Sequence, residues 1–489
     1  MEIIILLIII FTIIFVSKKL LSKSKLKLPP GPKPWPIIGN IHQLGNKPHR
    51  SAAELSKTYG PIMSLKLGSV TTIVISSPEI AQEMFLKHDL AFSGRMLPHA
   101  LTATNHHEYS VAFLPICPRW RNLRKIATVQ LFTSRQLDAS QALRQKKVNE
   151  LVEFVQQCCE TGVSVDIGKA AFTTTLNLLA NTFFSMDVAS HVSSESQEFK
   201  DLVWNVQEEG ARPNVSDFFP LVKNFDLQGV YKRSSYYLNK MLRFFEEIID
   251  ARLSDPMAPK DDVLGILLKL VEDEELSLNE VKHNLVGLFI AGTSSTSNTL
   301  EWAMTELLLN PEKMKKAQTE IDQILGKDAF IQESDISKLP YIQAIAKETH
   351  RMHPATPFLI PHKAVKDDNL WGYFVPKNTQ IWVNVWSIGY DPSIWINPHS
   401  FSPERFLNKE TAVKDRVRDF DLTPFGAGRR ICPGMPLADR MVHLMLATLI
   451  HSFSWKYIDG ATSKDIDMEE KFGIALQKAQ PLQAIPLSR

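Results

Sequence analysis

Apolar residues recur at intervals of three and four positions along most of this chain, and this spacing predicts a mainly helical protein. Alternating and short apolar runs predict strands in only a few places, and Gly68 joins the first two as a hairpin. Because helices outnumber strands and no linker divides them, we expect one large, mainly α domain with small β-sheets at 48–489. The predicted helices are 78–88, 119–130, 137–160, 196–209, 233–253, 278–309, 311–325, 341–353 and 436–453, and the predicted strands are 63–67, 71–76, 358–364, 380–383 and 472–476.

The start of the chain carries a different pattern, a continuous apolar run. Residues 3–16 are apolar except for one threonine, and the run reaches Leu21 if two lysines extend to the bilayer surface. A helix of that length spans about 28 Å, close to a thin endoplasmic-reticulum bilayer. A cleaved signal peptide needs small residues near its end, and the first alanine is Ala52. We therefore predict an uncleaved single-pass membrane anchor helix at 1–21, with the remainder in the cytosol because lysines follow the span.

Composition places the remainder among globular proteins. Of 489 residues, 44% are hydrophobic and 22% are charged. Lysine and arginine number 55 against 53 acids, a net charge of +2, so no global field favours nucleic acid, and we set that class aside. The excess of lysine is concentrated in residues 1–28. The basic and proline-rich segment 22–47 is typical of a stiff hinge between an anchor and a body.

Four cysteines, at positions 117, 158, 159 and 432, are too few for a disulfide framework and favour a reducing compartment. Cys158 and Cys159 lie in helical sequence, where a buried inert thiol is expected. Cys432 differs because three glycines surround it in the segment 424–434. Glycines let the backbone approach a large flat group, whereas a plain Gly-rich turn is the alternative reading. Arg429 and Arg430, with the N-terminus of the following helix, are expected to stabilise a thiolate, which is the form that binds metal.

The same segment carries a family resemblance. Phe425, Gly428, Arg430, Cys432 and Gly434 stand at the spacing of the haem-binding signature of the cytochrome P-450 monooxygenases, and the chain resembles that family over 29–489. The resemblance implies that Cys432 is the axial thiolate ligand of haem b, a ligand that favours O–O cleavage. It also implies that Phe425 shields the sulfur and that Arg430 pairs with a haem propionate.

Three further motifs match the family. Trp120 and Arg124 stand four apart on a predicted helix, and by resemblance the arginine contacts a propionate. Glu348 and Arg351 stand three apart on another, on one helical face, and Arg405 follows downstream at the family's spacing. By resemblance these three form a buried cluster that organises the core beside the haem and takes no part in chemistry. Breaking it should be severe, because a buried charge would lose its partner. The run of prolines at 29–36 resembles the hinge of microsomal members.

The oxygen-activating helix departs from the family's Ala-Gly-x-Asp-Thr-Thr pattern. By resemblance Ala291 and Gly292 permit a local widening of the helix where oxygen binds. Ser295 keeps a hydroxyl that relays protons, with Thr296 beside it, whereas Ser294 replaces the carboxylate that helps to deliver them. Loss of a positioned proton donor lowers the catalytic rate about 10²–10⁴-fold, and by less if water or a substrate hydroxyl delivers the proton instead.

A second departure is His362, which stands where many relatives have a propionate-binding arginine. Histidine can donate a hydrogen bond there but is neutral over part of the physiological pH range, so the sequence leaves open whether it contacts the haem. Tyr390 also replaces a common arginine, and a structural role is expected for it.

Three functions remain open from the sequence. The leading one is a monooxygenase that tolerates Ser294 and uses O2 with electrons derived from NADPH. The second keeps haem and thiolate but performs oxidative coupling or rearrangement without net oxygen insertion. The third is a catalytically silent haem-binding protein.

The phrases 47–51, 166–177 and 471–478 resemble plant microsomal members that oxidise tyrosine, and others of the group hydroxylate geraniol or oxidise diterpenes. The family's substrate-contacting segments carry apolar residues here, which suits a small lipophilic molecule held mainly by shape. We therefore expect a terpenoid or phenolic, tyrosine-derived substrate of plant specialised metabolism. The candidate pocket residues are Phe113, Leu114, Leu288, Ala291, Phe358, Leu359, Ile360 and Ile474.

The electrons must come from a partner, because the chain carries no flavin or dinucleotide fingerprint. The family's donor is a membrane-bound NADPH–cytochrome P-450 reductase with an acidic docking face. Arg121, Arg124 and Lys125 are candidate contacts for it, and a solvated helix face is the alternative. We expect a monomer that associates with this reductase and with the lipid bilayer.

Overall fold

The computed structural model describes residues 27–255, 257, 259, 262–407, 420–458 and 466–489. The predicted anchor at 1–21 and the start of the predicted hinge lie outside these ranges. Within them, no helix combines the length and the hydropathy that a membrane crossing needs.

Helices make up most of the described residues, and the 32-residue α11 (Leu278–Leu309) is buried along most of its length. A capping box begins it: the Ser277 hydroxyl accepts from the N–H of Glu280, and the Glu280 carboxylate accepts from the N–H of Ser277. The neighbours of α11 come from distant parts of the chain, so this helix organises the whole helical body. The other helices are α1 (Pro48–Tyr59), α2 (Pro78–Lys87), α3 (Pro118–Lys125), α4 (Ser134–Ala139), α5 (Gln141–Thr161), α6 (Ile167–Phe184), α7 (Glu195–Ala211), α8 (Val215–Phe218), α9 (Val230–Ser254), α10 (Val263–Glu272), α12 (Pro311–Ile324), α13 (Pro340–Met352), α14 (Val385–Gly389) and α15 (Met435–Ser452).

Helix α6 was not predicted by the periodicity, although it is one of the main neighbours of α11. Of its 18 residues, 15 are buried. A helix that is buried on almost every side has no polar face, so apolar and polar residues do not alternate along its sequence with the helical period. Asp166 caps it by accepting a hydrogen bond from the N–H of Lys169 at 2.7 Å. Burial by the neighbouring helices therefore decides this element.

Helix 119–130 was predicted as one element, and the structure divides it. Helix α3 ends at Lys125, and a π-helical segment, Ile126–Leu131, follows. The hydroxyl of Thr128 donates to the carbonyl of Arg124 at 2.9 Å, and such side-chain bonds compete with the regular backbone ladder. The helices α1 and α10 were also not predicted.

Strands form small sheets at the side of the helical body. β1 (Ile62–Leu67) and β2 (Val70–Ile75) form the predicted hairpin, with Leu67 opposite Val70. The larger sheet has the order β1-β2-β8-β5-β3, and a three-stranded sheet has the order β4-β12-β9. The other strands are β3 (Gly94–Arg95), β4 (Val165–Asp166), β5 (His362–Lys363), β6 (Asp368–Leu370), β7 (Tyr373–Val375), β8 (Gln380–Val383), β9 (Phe453–Tyr457), β10 (Glu470–Lys471), β11 (Gln477–Lys478) and β12 (Gln483–Ser488).

Two strand predictions were wrong in extent. Segment 472–476 is the turn between the paired strands β10 and β11, and of 358–364 only the residues of β5 are extended in a sheet. Short apolar runs do not distinguish a strand from a buried turn, because both place apolar side chains in the core. Phe472, for example, packs against the core of the larger sheet from that turn.

The described part of the proline-rich segment is bonded to the body along β1. Ser64 donates its backbone N–H to the carbonyl of Pro30 at 2.8 Å and its hydroxyl to that of Pro29 at 2.7 Å. Asn40 and Lys66 exchange two more bonds, at 2.6 and 2.7 Å. Hydrogen bonds therefore hold the described part of this segment at the edge of the sheet.

Candidate functional site

Cys432 lies in a tight loop between a 3₁₀ turn, Gly428–Arg430, and the start of α15. Its N–H donates to the carbonyl of Phe425 at 3.0 Å, which closes the loop. Gly428 has a φ of +68°, and a Cβ there would stand 2.6 Å from Oδ1 of Asp89. Only glycine fits this position without displacing the carboxylate. The signature glycine thus has a local reason in this chain.

The electrostatics around the Cys432 sulfur are divided. Burial raises the pKa of the thiol above its usual value, while hydrogen bonds from the N–H groups of Gly434 and Met435 and the charge of Arg124 lower it. Burial is the larger effect in the protein alone. A coordinated metal ion deprotonates such a thiol, so these donors suit a sulfur that shares its charge with iron.

The expectation that Arg429 and Arg430 stabilise the thiolate was wrong. Arg429 is exposed and pairs with Asp89 at 3.0 Å. Arg430 is buried, and its guanidinium donates to the carbonyl oxygens of Ser93, Val111 and Leu114 at 3.0, 3.2 and 2.5 Å. The turn sends the two side chains away from the sulfur, and α3 brings Arg124 to it instead.

Trp120 and Arg124 both face this region from α3. The Trp120 indole donates to the carbonyl of Val111 at 3.0 Å, and its ring lies 4.9 Å from the guanidinium carbon of Arg430. Burial lowers the pKa of Arg124, while Cys432 raises it. Trp120 therefore supports Arg430 through a cation–π contact, and Arg124 lies close enough to both Arg430 and Cys432 to act on their charge.

Arg95 belongs to the same cluster and was missed by sequence reasoning. Strand β3 pairs with β5 so that Arg95 lies opposite His362. Its guanidinium donates to the carbonyl of Ile360, while its Nε is buried without a partner. Burial and the charge of Arg430 lower the pKa of Arg95. An arginine in a two-residue strand carries no sequence signal of its own, so only the strand pairing could reveal it.

His362 is buried in this cluster, and its ring contacts a backbone carbonyl. Nδ1 lies 2.8 Å from the carbonyl oxygen of Phe92, so Nδ1 donates and Nε2 of the neutral ring is an acceptor. Burial and the charge of Arg95 hold the pKa of His362 well below its usual value. The neutral ring therefore has no free donor for a carboxylate, whereas the Nε of Arg95 beside it is an unused donor.

These groups fit a haem with two propionates. The charge of Arg430 lowers the pKa of Arg95, and the charge of Arg124 lowers the pKa of Arg430, so the three guanidiniums form a connected series. Asp89, which raises the pKa of Arg430, is itself paired with Arg429. Buried positive charge needs negative partners, and carboxylates bonded by guanidinium groups meet that need well. The Cys432 sulfur therefore suits the haem iron, and this cation cluster suits the two propionates.

The segment of α11 that corresponds to the oxygen-binding motif is regular. The helix is α-helical throughout, so the structure does not contain the expected widening at Ala291 and Gly292. Gly292 serves packing instead, because a Cβ there would stand 2.9 Å from Cδ1 of Leu179 on α6. Ala291 is exposed although its helix is otherwise largely buried, so its methyl group borders open space.

The hydroxyl groups of this segment have different environments. Ser295 is partly buried and donates to the carbonyl of Ala291 at 2.6 Å. Ser294 and Thr296 are buried, at 2% and 4% exposure. Ser295 is therefore the hydroxyl that lies on the same helical face as Ala291, one turn along α11, and Ser294 faces the interior.

The candidate pocket residues separate into two groups. Phe358 packs in the core of the larger sheet, with its ring 4.5 Å from that of Trp382, and Leu114 is buried in the helical core. Both belong to the core, since neighbouring side chains leave them only 5% and 6% exposed. The others keep partial exposure and remain candidates for substrate contact: Phe113, Leu288, Ala291, Leu359, Ile360 and Ile474.

A separate cluster of buried charged groups is centred on Glu348. Glu348 and Arg351 are fully buried on α13, and Arg351 donates to the carboxylate through Nε and Nη2 at 2.7 and 2.8 Å. Arg405 adds a third bond at 3.0 Å and the N–H of Ser402 a fourth at 2.8 Å. The structure thus brings together the three residues that the resemblance grouped. Tyr390 contributes nearby, where its hydroxyl donates to the carbonyl of Met352 at 3.2 Å.

Comparisons with known proteins agree with this geometry. The family model of cytochrome P-450 matches residues 29–484. The chain is 56% identical to cytochrome P-450 monooxygenase 76AD131 of Lophophora williamsii, covering 95% of this chain and 94% of that protein. It is 54% identical to cytochrome P-450 76AD1 of Beta vulgaris over 96% of each chain, and 50% identical to geraniol 8-hydroxylase of Swertia mussotii over 97% of each. The matched span includes the Cys432 loop and the whole cation cluster.

Arg95→Gln should weaken haem retention. Removing one buried charge-assisted donor is expected to raise the rate of haem transfer to apomyoglobin about tenfold to a hundredfold. Arg95→Lys keeps the charge and should lose less, and Arg429→Gln, which changes an exposed arginine of the same region, should change the rate less than about twofold. Equal haem loss in Arg95→Gln and Arg429→Gln would show that Arg95 does not hold the cofactor.

Proposed function

Since the chain belongs to the cytochrome P-450 family of monooxygenases, we propose that its Cys432 site hydroxylates a lipophilic terpenoid or phenolic molecule of plant specialised metabolism. The observation that carries this proposal is the series of charged groups that runs from the Cys432 sulfur through Arg124 and Arg430 to Arg95. Helix α11 adds the small side chain of Ala291 and the hydroxyl of Ser295 on one face. Similarity to a geraniol 8-hydroxylase across almost the whole chain supports a terpenoid alcohol within this class.

The cofactor would be held by this chain's own groups. Arg95, Arg124 and Arg430 would bind the propionates, and the N–H groups that point at Cys432 would keep its sulfur oriented towards the iron. When bound, the haem supplies activation of dioxygen, with two electrons that originate from NADPH. The overall reaction converts a C–H bond, O2, NADPH and a proton into a C–OH bond, water and NADP⁺.

The residues of α11 would position the proton and the substrate. The Ser295 Oγ donates to the carbonyl oxygen of Ala291 at an oxygen–oxygen distance of 2.6 Å, and rotation of the hydroxyl can direct its proton towards open space on the same face. The small side chain of Ala291 leaves room beside the reacting group. The partly exposed apolar residues of the candidate pocket, including Leu359 and Ile474, would exclude water and orient a substrate by shape.

Ser294 keeps a second candidate reaction in view. It stands where the family has a carboxylate, and its side chain is almost fully buried. A rearrangement that does not reduce dioxygen would need no delivered proton and would tolerate this replacement, whereas oxidative coupling that reduces dioxygen to water still consumes protons. Retention of the Ser295 hydroxyl favours oxygen insertion over that alternative.

Isotope labelling tests the proposed reaction. Membranes that contain the protein and a reductase are supplied with ¹⁸O2, NADPH and a panel of terpenols and phenols. We expect labelled hydroxylated product with little hydrogen peroxide, and we expect Ser295→Ala to lower the product formed per NADPH about tenfold to a hundredfold through loss of a proton relay. Product without label would favour coupling or rearrangement, and hydrogen peroxide alone across the panel would contradict this substrate class.

We also propose that the catalytic domain lies on the endoplasmic-reticulum membrane, held there by residues 1–21. Two exposed apolar groups border the β1–β2 turn, since Gly68 bonds to Ile38 and Ser69 bonds to Phe218. Leu221, Phe225 and Leu227 are 96%, 73% and 65% exposed in one group, and Trp35 and Ile37 are 60% and 82% exposed in the other. Two exposed apolar groups at one turn suit contact with lipid.

Vesicle sedimentation tests this membrane surface. A chain that begins at residue 29 should sediment with phospholipid vesicles, and the double variant Leu221→Ser/Phe225→Ser should bind about tenfold more weakly, because two exposed apolar side chains are lost. Ile396→Ser, which changes an exposed isoleucine of another segment, is the control. Unchanged binding of the double variant would place the membrane contact elsewhere.

The reductase is proposed to dock at the exposed face of α3. Arg121 and Lys125 are exposed there, whereas Arg124 is partly buried near Cys432 and is not available to a partner in the same way. The same short helix thus joins the proposed docking face to the sulfur side of the site. Complementary charge raises association rates, and salt screens the effect.

Charge reversal tests this docking face. Arg121→Glu/Lys125→Glu should slow reduction about tenfold at low ionic strength, and the difference should shrink as salt is added. Lys232→Glu/Lys240→Glu on α9 makes the same change in net charge and should have little effect. A double variant on α3 that keeps the rate and the salt dependence of the original chain would exclude this docking face.

A further inference from the structure

The turn 472–476 is attached to both sides of the proposed site. The N–H of Leu476 donates to the carbonyl of Ala355 at 2.7 Å, just before the loop that carries Leu359 and Ile360. The carbonyl of Leu476 accepts from the side-chain amide of Asn298 at 3.3 Å. Asn298 lies one turn beyond Ser295 on α11. The position of this turn therefore affects the space beside Ser295.

The same turn contacts α7 through small residues. A Cβ on Gly210 would stand 2.7 Å from Cδ1 of Ile474, and a Cβ on Gly473 would stand 3.3 Å from the indole of Trp204. These close approaches leave Ile474 between α7 and the proposed site. A small displacement of the turn would therefore move Ile474 relative to a bound substrate.

A buried carboxylate at the first residue of β10 anchors the start of this turn. The side chain of Glu470 is 1% exposed, and its Oε1 accepts a hydrogen bond from Nε2 of His49 at 2.8 Å and another from Nε of Arg50. Burial alone would raise the pKa of Glu470, but these two bonds outweigh it and hold the pKa at about 2. The carboxylate is therefore ionised across the physiological pH range.

His49 is itself fixed in place. Its side chain is fully buried, its ring stacks on Phe472 at 5.6 Å and meets Trp386 edge-on at 5.4 Å, and its carbonyl accepts from the amide of Asn384 at 2.8 Å. The stacked contact with Phe472 touches the first residue of the turn directly. Helix α14 and its N-cap residue Asn384 thus hold His49, and His49 contacts both Glu470 and Phe472.

We propose that Glu470, His49 and Arg50 form a positioning clamp that sets the substrate-facing turn 472–476, so that selectivity depends on the first turn of α1. Helix α1 follows the proline-rich segment directly, and these contacts join residues about 420 positions apart. The clamp touches no reacting atom. Its contribution is to hold Ile474 in one place while a substrate binds.

Hydrogen–deuterium exchange of the haem-loaded full chain tests the clamp without reference to any substrate. Glu470→Gln keeps the size of the side chain and removes its charge, and exchange in 471–478 should rise about tenfold. Exchange in 296–308 of α11 should stay unchanged. If Glu470→Gln does not fold, Arg50→Gln makes a milder change at a side chain that is 44% exposed, and a smaller rise confined to 471–478 is expected.

Glu469→Gln is the matched control, because Glu469 is the neighbouring acid and its ion pair with Lys47 is largely exposed. That variant should leave exchange in 471–478 within about twofold of the original chain. Unchanged exchange in both Glu470→Gln and Arg50→Gln would overturn the proposal. A rise of equal size throughout the chain would also overturn it, since it would show general loss of stability.

The selectivity readout rests on the proposed function. For any terpenol or phenol that the original chain hydroxylates, Glu470→Gln should raise KM several-fold and change the ratio of products oxidised at different carbons, while the carbon monoxide difference spectrum of the thiolate-bound haem stays the same. A product ratio does not depend on the amount of folded protein, so an unchanged ratio and KM would contradict the positioning role. If the original chain oxidises none of the panel, the proposed function fails, and the exchange experiment alone decides the clamp.

Discussion

The geometry around the site depends on the hydrogen bonds that the buried carboxylate of Glu348 accepts. This carboxylate accepts four hydrogen bonds, from Arg351, Arg405 and the backbone of Ser402, and it has no contact with solvent. Arg351 uses its remaining donors on the carbonyls of Gly389, Pro398 and Ser400. A charge in this position is stable only when every partner is present, so α13 and the segment from 389 to 405 must fold together. Phe425, in the Cys432 loop, packs against the same turn of α13 through His350, with ring centroids 5.3 Å apart.

The cation cluster differs from the Glu348 cluster in how its charge is compensated. In the Glu348 cluster, charged groups and carbonyl groups of the protein satisfy one another. At Arg95, Arg124 and Arg430 the described residues supply fewer acids than bases, and burial disfavours each charge. A fold that buries positive charge in this way specifies a negative ligand before any ligand is considered. The neutral His362 at the same place adds no charge, since its Nδ1 is used by a backbone carbonyl.

Buried charge also connects the N-terminal part of the chain to the site. The proline-rich segment is bonded to β1, helix α1 begins directly after it, and the first turn of α1 meets Glu470 through His49 and Arg50. The turn beyond β10 then reaches Asn298, close to Ser295 on α11. These contacts form a continuous path from the surface that carries Trp35 to the proposed pocket. Whatever orients the first residues therefore acts on a part of the molecule that is structurally joined to the site.

Local sequence was sufficient for several elements. The apolar period identifies α11, Gly68 identifies the hairpin, and the spacing around Cys432 identifies the family. Glu348 and Arg351 meet because they lie one helical turn apart. In each case the information lies within a few neighbouring residues, where backbone geometry alone places the side chains.

Packing between distant segments settled the rest. Helix α6 is apolar on nearly all sides and carries no period, Arg95 acquires a role only because β3 pairs with β5, and Glu470 finds His49 from 421 positions away. Phe358 was predicted to line the pocket because it is a large apolar residue, but it lies in the core. A side chain's partner across such a distance depends on how helices and sheets pack as a whole, and periodicity reports only whether a residue faces solvent or the interior.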